Sequence, residues 1–360
     1  MSVTDLIFQT GFDILGNLSD YFYVVDGDYP PSLVSPGRFG YGQCAFLAQA
    51  GEGGSHVGYV WPTGPYTRLV AGFAIKTTSN SFYTNNSPIY TFLDSMGKIV
   101  GAVTLSALGV IGYYVGNFDS SPSSPTFASA PLAFTFEQWV YVEVDLIANA
   151  SGAGAVQIMV NGQVVLHETG VTTSSTPNIY GSAFVNGGSN YVNFNEYFDD
   201  AYTRAPSSMT LGDSFLGDVK AVPIAPNAIG HEDDFIQTGG TSGEPWTAVN
   251  DIPPDGDTST VSSNTPGNKE LFKGPQPSTL TDVTEIYGVS GYALVRKDDS
   301  PARVVSFGIS DGTTDHFDAG AAVGSDYKYI VRQFPVNPIT GVAWVDSDFA
   351  VAQFGIELVS

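Results

Sequence analysis

Two runs, Trp139-Val-Tyr-Val-Glu-Val-Asp-Leu146 and Val156-Gln-Ile-Met-Val-Asn-Gly-Gln-Val-Val-Leu-His167, constrain the fold more than any other part of the chain. In the first, Val140, Val142, Val144 and Leu146 share one face, while Trp139, Tyr141, Glu143 and Asp145 share the other. This is the period of two that a half-buried strand requires. In the second, Asn161-Gly162 stands between two β-branched runs. Asn-Gly accepts φ > 0 at both central positions of a type I′ turn, so the pair predicts a hairpin. Chains built on such hairpins are all-β.

The rest of the chain agrees with an all-β reading. Strand-like runs recur at Cys44–Leu47, Leu69–Ile75, Ile89–Leu93, Lys98–Leu105, Val110–Val115, Glu285–Val295, Arg303–Ile309, Lys328–Phe334 and Ala350–Leu358. Gly (41) and Pro (22) are spread among them, which fits short strands joined by turns. No long helical pattern and no fixed-period repeat is visible. A Pro and small polar residues at Arg204-Ala-Pro-Ser-Ser208 predict a boundary, giving a sandwich over 1–205 and a second β-rich domain over 206–360. Within the second domain, residues 230–277 read as a loop-dominated excursion, long enough to need a neighbour that covers it.

Charge narrows the partners. With 13 Lys and Arg against 36 Asp and Glu, the net charge is −23, and the clustered cations that phosphate contacts require are missing. Nucleic acid is therefore excluded as a partner. The start Met1-Ser-Val-Thr-Asp-Leu-Ile-Phe8 has neither a basic nor an apolar signal region, and no apolar run is long enough to span a bilayer. The expectation is synthesis in a cytoplasm without a signal peptide, and no membrane insertion. Cys44 is the single cysteine, so packing and not a disulfide must stabilise the chain.

A Gly-Phe-Asp opening (Gly11 to Asp13), Arg38-Phe-Gly40, the Trp139 to Asp145 strand, the Val-Asn-Gly hairpin and Phe198-Asp-Asp-Ala-Tyr202 together resemble a concanavalin A-like, LamG-type jelly roll over the first 205 residues. Phe215-Leu-Gly-Asp218, the Asp251 to Asp257 segment, Thr340-Gly-Val-Ala-Trp344 and Phe354-Gly-Ile-Glu-Leu358 resemble the C-terminal part of tailed-phage structural proteins that bear such a jelly roll. The resemblance implies a non-enzymatic virion component, a tail accessory or a head decoration, that displays a lectin-like module for attachment or particle stabilisation. Its expected partners are other virion proteins, further copies of itself and a host-surface glycan. The alternatives are a carbohydrate-binding lectin and a divergent glycoside hydrolase using Glu143 and Asp145.

Glycoside hydrolysis needs two carboxylates flanking the scissile bond, and the related signature places a third acid just after Asp145. Leu146, Ile147, Ala148 and Asn149 stand there instead, so catalysis is not expected. Glycan binding needs an aromatic surface and polar groups, which Tyr141, Glu143 and Asp145, with Asn190 and Tyr191 in an Asn-rich segment, can supply. Adjacent Asp199 and Asp200 point to opposite faces of a regular strand and so do not share an ion; Phe198 and Tyr202 are expected to pack inside. Asp251, Asp255 and Asp257 are the candidates for a Ca²⁺ loop, although the terminal Glu of the EF-hand pattern is missing. No other cofactor is expected. The scattered His56, His167, His231 and His316 predict no zinc site.

Overall fold

The computed structural model describes residues 5–25, 30–48, 55–61, 64–78, 86–116, 125–130, 133–186 and 195–360. These fold as two compact units. The larger, built from residues 7–12 and 17–221, is a sandwich of two antiparallel sheets. One sheet runs Gln163–Val171, Gly154–Val160, Val140–Ile147, Arg68–Thr77, Glu196–Arg204, Cys44–Leu47 and Ser32–Val34, with Leu6–Thr10 also on Glu196–Arg204. The other runs Phe127–Ala128, Ile111–Val115, Ile99–Ser106, Asn86–Leu93, Gly181–Asn186, Ser55–Val60 and Tyr23–Val25.

The alternation read in the sequence sets the layers. Val142 lies opposite Phe73 and Val144 opposite Ala71, all buried in the core between the sheets. Phe73, Tyr90, Phe184 and Phe198 form its centre, with ring centroids 5.0 Å apart for Phe73 and Tyr90 and 4.8 Å apart for Phe184 and Phe198. Asn161 and Gly162 take φ of 47° and 76°, as the hairpin turn demands.

One irregularity re-aims the strand Glu196–Arg204. Three steps from Asp199 to Tyr202 face two steps from Ala74 to Gly72, and Asp200 takes φ 47°. This bulge adds a residue and flips the alternation. Phe198 faces the core as expected. Tyr202 does not: its ring lies over Gly72 on the outer face, where a Cβ on Gly72 would meet it.

The smaller unit comprises residues 222–360 with residues 5, 6 and 13–16. Its main sheet runs Ala228–Asp233, Lys269–Lys273, Gln353–Leu358, Arg303–Ser310 and Asp315–Phe317, with Ala321–Val323 also on Arg303–Ser310. Two hairpins accompany it, Ile236–Thr238 with Thr260–Ser262 and Val289–Val295 with Lys328–Phe334. Phe307, Ile309, Trp344, Phe349 and Leu358 make its core, and the Trp344 indole donates to the Phe334 carbonyl at 2.9 Å.

One sequence expectation changes here. The boundary moves from 205 to 221, because 206–221 packs with the sandwich. Residues 230–277 consist mostly of loop, and among the loops stand the hairpin of Ile236–Thr238 with Thr260–Ser262 and the sheet strand Lys269–Lys273. Their strands are short and largely half-buried, so no apolar run marks them. Among the described residues no helix is long and apolar enough to cross a membrane.

Candidate functional site

Segment 206–221 lies across the outer face of the sheet containing Val140–Ile147, and the polar residues of that face hold it. Asp145 accepts from Arg68 Nε at 2.9 Å and Nη2 at 2.6 Å, and from the Gly212 amide at 2.6 Å. Arg68 also donates to the Ser208 carbonyl at 2.6 Å and to Asp213 at 2.8 Å. Glu143 accepts from the Tyr202 hydroxyl and from the Gly217 amide at 2.9 Å, while Tyr202 Oη accepts from the Leu216 amide at 3.1 Å. Burial pushes the Glu143 carboxyl up, against the pull of the Tyr202 hydroxyl and the two amides. Burial, and then the Glu143 charge, raises the Tyr141 and Tyr202 phenols well above their ordinary value, so both stay protonated donors.

This corrects the expected glycan surface. Tyr141, Glu143 and Asp145 do share a face, but all three are buried, Glu143 and Asp145 under the strap 206–221 and Tyr141 against Arg38. The Tyr141 hydroxyl donates to the Asp200 carbonyl at 3.1 Å, and the Arg38 guanidinium lies 5.2 Å from its ring centroid. With the strap seated, no sugar reaches them. Asn190 and Tyr191 lie outside the described residues.

An exposed aromatic surface exists nearby, on the loop 35–43 between Ser32–Val34 and Cys44–Leu47. Gly40 and Gly42 take φ of 84° and 67°, which a side chain would resist, and let the loop reverse. Phe39 and Tyr41 are 48% and 50% exposed, with rings 26° from parallel and centroids 6.4 Å apart. Beneath them Arg38 is half-buried and heavily engaged. Its backbone amide donates to Asp199 at 2.8 Å, and its guanidinium donates to Asp218 at 2.6 Å, Asp200 at 3.4 Å and the Val219 carbonyl at 3.3 Å. The bulge at Asp199–Asp200 is what lets both acids serve one arginine. Lys220 Nζ lies 4.7 Å from the Phe39 centroid and 5.1 Å from that of Tyr41. An aromatic ledge, flanked by one ammonium and the exposed carboxylate of Asp218, therefore sits beside the strap.

The sequence reading used Arg38-Phe-Gly40 only as a mark of fold. Alternating Gly and aromatic residues over 37–42, in a chain otherwise rich in buried aromatics, is the signal that was there to be used.

The Ca²⁺ candidates do not converge. Asp257 is engaged by Arg296 Nη2 at 2.8 Å and by the Tyr327 hydroxyl at 2.7 Å, whereas Asp255 accepts from Ser259. Asp251 reaches only the Ser259 hydroxyl, at 3.5 Å. Among the described residues, the three donors that do converge at metal-binding distance are His231, Glu232 and Asp315.

No protein-family model matches the chain, and no characterised protein sequence matches it. Solved structures similar to it include the endo-β-1,4-glucuronan lyase of the fungus Trichoderma reesei, at TM-score 0.39 and 13% identity over 55% of this chain and 95% of that one. They include the alginate lyase vAL-1 from Chlorella virus, at TM-score 0.37 and 12% identity over 56% and 100%. The Emp46p carbohydrate recognition domain in its potassium-bound form matches at TM-score 0.35 and 10% identity over 54% and 97%. Nothing in them points to a virion protein. The exclusion of enzymatic activity made from the sequence does not stand beside them. That exclusion tested only for the paired carboxylates of hydrolysis, and polysaccharide lyases are among the structures similar to this chain. The fold itself, an all-β jelly-roll sandwich followed by a second β-rich unit, is as expected.

Proposed function

We propose that the jelly-roll unit is a carbohydrate-binding module whose contact surface is the ledge of Phe39 and Tyr41, with Lys220 and Asp218 as its polar flanks. The observation behind this is the pairing of two exposed, nearly parallel rings with a half-buried arginine that ties their loop to the strap. Aromatic faces pack against the C–H face of a pyranose at small conformational cost when they are already held, and flanking charges orient hydroxyls or a uronate. The expected setting, taken from the resemblance, is a tailed-phage particle that meets a host-surface glycan.

Retention of the full chain on a panel of immobilised polysaccharides tests the reading. Phe39→Ala and Tyr41→Ala should each weaken binding by roughly 1 to 2 kcal/mol, the loss of one aromatic contact. Tyr141→Phe should leave it unchanged. Retention that survives the double Phe39→Ala, Tyr41→Ala variant would remove the ledge from the proposal. The same incubations read catalysis, through shorter or unsaturated sugars released, and mass spectrometry of purified particles reads the virion setting.

A further inference from the structure

We propose that the C-terminal unit holds a divalent transition-metal site formed by His231 Nε2, Glu232 and Asp315. The geometry behind it starts at a bulge. In the strand Ala228–Asp233, four steps from Ile229 to Asp233 face two steps from Phe272 to Glu270. Adjacent side chains of a regular strand point to opposite faces, and extra residues relax that rule. His231 and Glu232 therefore turn the same way. Gly230 is needed for this, since a Cβ there would meet the Leu271 backbone and Gln353. Asp315 arrives from the strand at the opposite end of the hydrogen-bond order, yet its carboxylate meets both.

The protonation pattern of His231 follows from its hydrogen bonds. Gln353 Oε1 accepts from the His231 backbone amide at 2.7 Å, which fixes that atom as the oxygen. The same oxygen lies 3.0 Å from His231 Nδ1, so Nδ1 must be the donor. In the neutral ring the lone pair is then on Nε2, the arrangement imposed on metal-binding histidines by an acceptor at the other ring nitrogen. That lone pair faces Asp315 Oδ1 at 3.3 Å and Glu232 Oε1 at 3.6 Å. With this tautomer three acceptors face one another, an arrangement that a bound cation would satisfy.

The spacing suits a metal. Bonds of about 2.0 to 2.2 Å in a tetrahedral site place ligand atoms roughly 3.3 to 3.6 Å apart. Two of the three edges have that length, and all three atoms lie within 4.8 Å of one another. Lys269 occupies only Asp315 Oδ2, at 2.6 Å, and leaves Oδ1 buried without a hydrogen bond. One imidazole with two carboxylates is a donor set for Zn²⁺ or Co²⁺, with a fourth position open to water. The sequence missed it because 84 positions separate His231 from Asp315, and because adjacent residues on a strand normally diverge.

Calorimetric titration of the chelator-treated full chain with Zn²⁺, and the visible d–d absorption of added Co²⁺, test the site. One saturable equivalent of Zn²⁺ and a tetrahedral Co²⁺ spectrum are expected. His231→Ala and Glu232→Gln should each weaken binding about tenfold or more, and His316→Ala should leave it intact. His231 and Glu232 lie at the surface, so their variants decide the matter even where Asp315→Asn fails to fold. No binding by the wild-type chain, or binding retained in His231→Ala, overturns the proposal.

Discussion

Replacing Asp145 by Asn removes one charge and almost no volume, and the structure states what that exposes. Arg68 and Asp145 have side chains with no solvent exposure, and all three hydrogen bonds to Asp145 end on its two oxygens. The amide can present one oxygen. Its NH₂ then faces the Arg68 guanidinium in either orientation, and in one of them the Gly212 amide as well, a donor against a donor. Breaking a buried pair from one side costs about 3 to 5 kcal/mol. Asp213 still faces Arg68 at 2.8 Å and is partly in water, which places the expected cost near 3 kcal/mol, the low end of that range. For a unit of this size, that lowers the melting temperature by roughly 6 to 12 °C. Urea unfolding by circular dichroism gives the total, and amide exchange locates it. Exchange should accelerate first at Gly212 and along 206–221, with the inner strands following only on global unfolding. A cost below about 1 kcal/mol with unchanged exchange at Gly212 would refute the view that this ion pair seats the strap.

Two further outcomes follow from the packing and titration of buried groups. Gly72→Ala places a methyl against the Tyr202 ring and should cost roughly 1 to 3 kcal/mol, with exchange at Leu216 and Gly217 rising as Tyr202 is displaced. In the other unit, burial raises Glu270 to about 7, opposed by the Phe235 amide and reinforced by Asp233 and Asp234. Its folded pKa lies above its unfolded value, so the stability it contributes is complete below that unfolded value and is lost as pH rises through about 7. Glu270→Gln should flatten the fall in urea stability across this window, and an unchanged slope would assign the fall to other groups.

The periodicity of Trp139–Leu146 was enough to place Val140, Val142, Val144 and Leu146 in the core and Glu143 and Asp145 on the other face. What a face meets is a long-range property. Glu143 and Asp145 read as a solvated or ligand-binding surface because the segment that buries them begins sixty residues later and has no strand pattern. Its Leu211-Gly-Asp-Ser-Phe-Leu-Gly-Asp218 sequence was visible, and Gly212 and Gly217 do take φ of 79°, which leaves their amides free to donate to the two acids. Nothing local tied those amides to Asp145 and Glu143. Both bulges were equally silent: the one at Asp199–Tyr202 inverts the direction in which Tyr202 points, and the one at Ile229–Asp233 turns two adjacent side chains the same way. Alternation predicts faces only as far as the next inserted residue.

Arg38 connects the two halves of the candidate site, so its replacement separates positioning from contact. Its guanidinium lies 5.0 Å from the Phe39 centroid and 5.2 Å from that of Tyr141, and it donates to Asp218, Asp200 and the Val219 carbonyl. A lysine keeps the charge but has neither the planar fork nor its stacking surface. It can satisfy one of these acceptors well, and loop 37–42 then loses its anchor to the strap. If the ledge binds sugar because it is already held, Arg38→Lys should weaken retention by roughly 3-fold to 10-fold, about 0.7 to 1.4 kcal/mol of ordering cost returned to the binding step. The Phe39 and Tyr41 rings remain present, so polysaccharide preference should stay the same while amide exchange over 37–42 increases. Retention equal to wild type in a variant with faster exchange would show that the ledge needs no clamp, and changed preference would make Arg38 itself a contact.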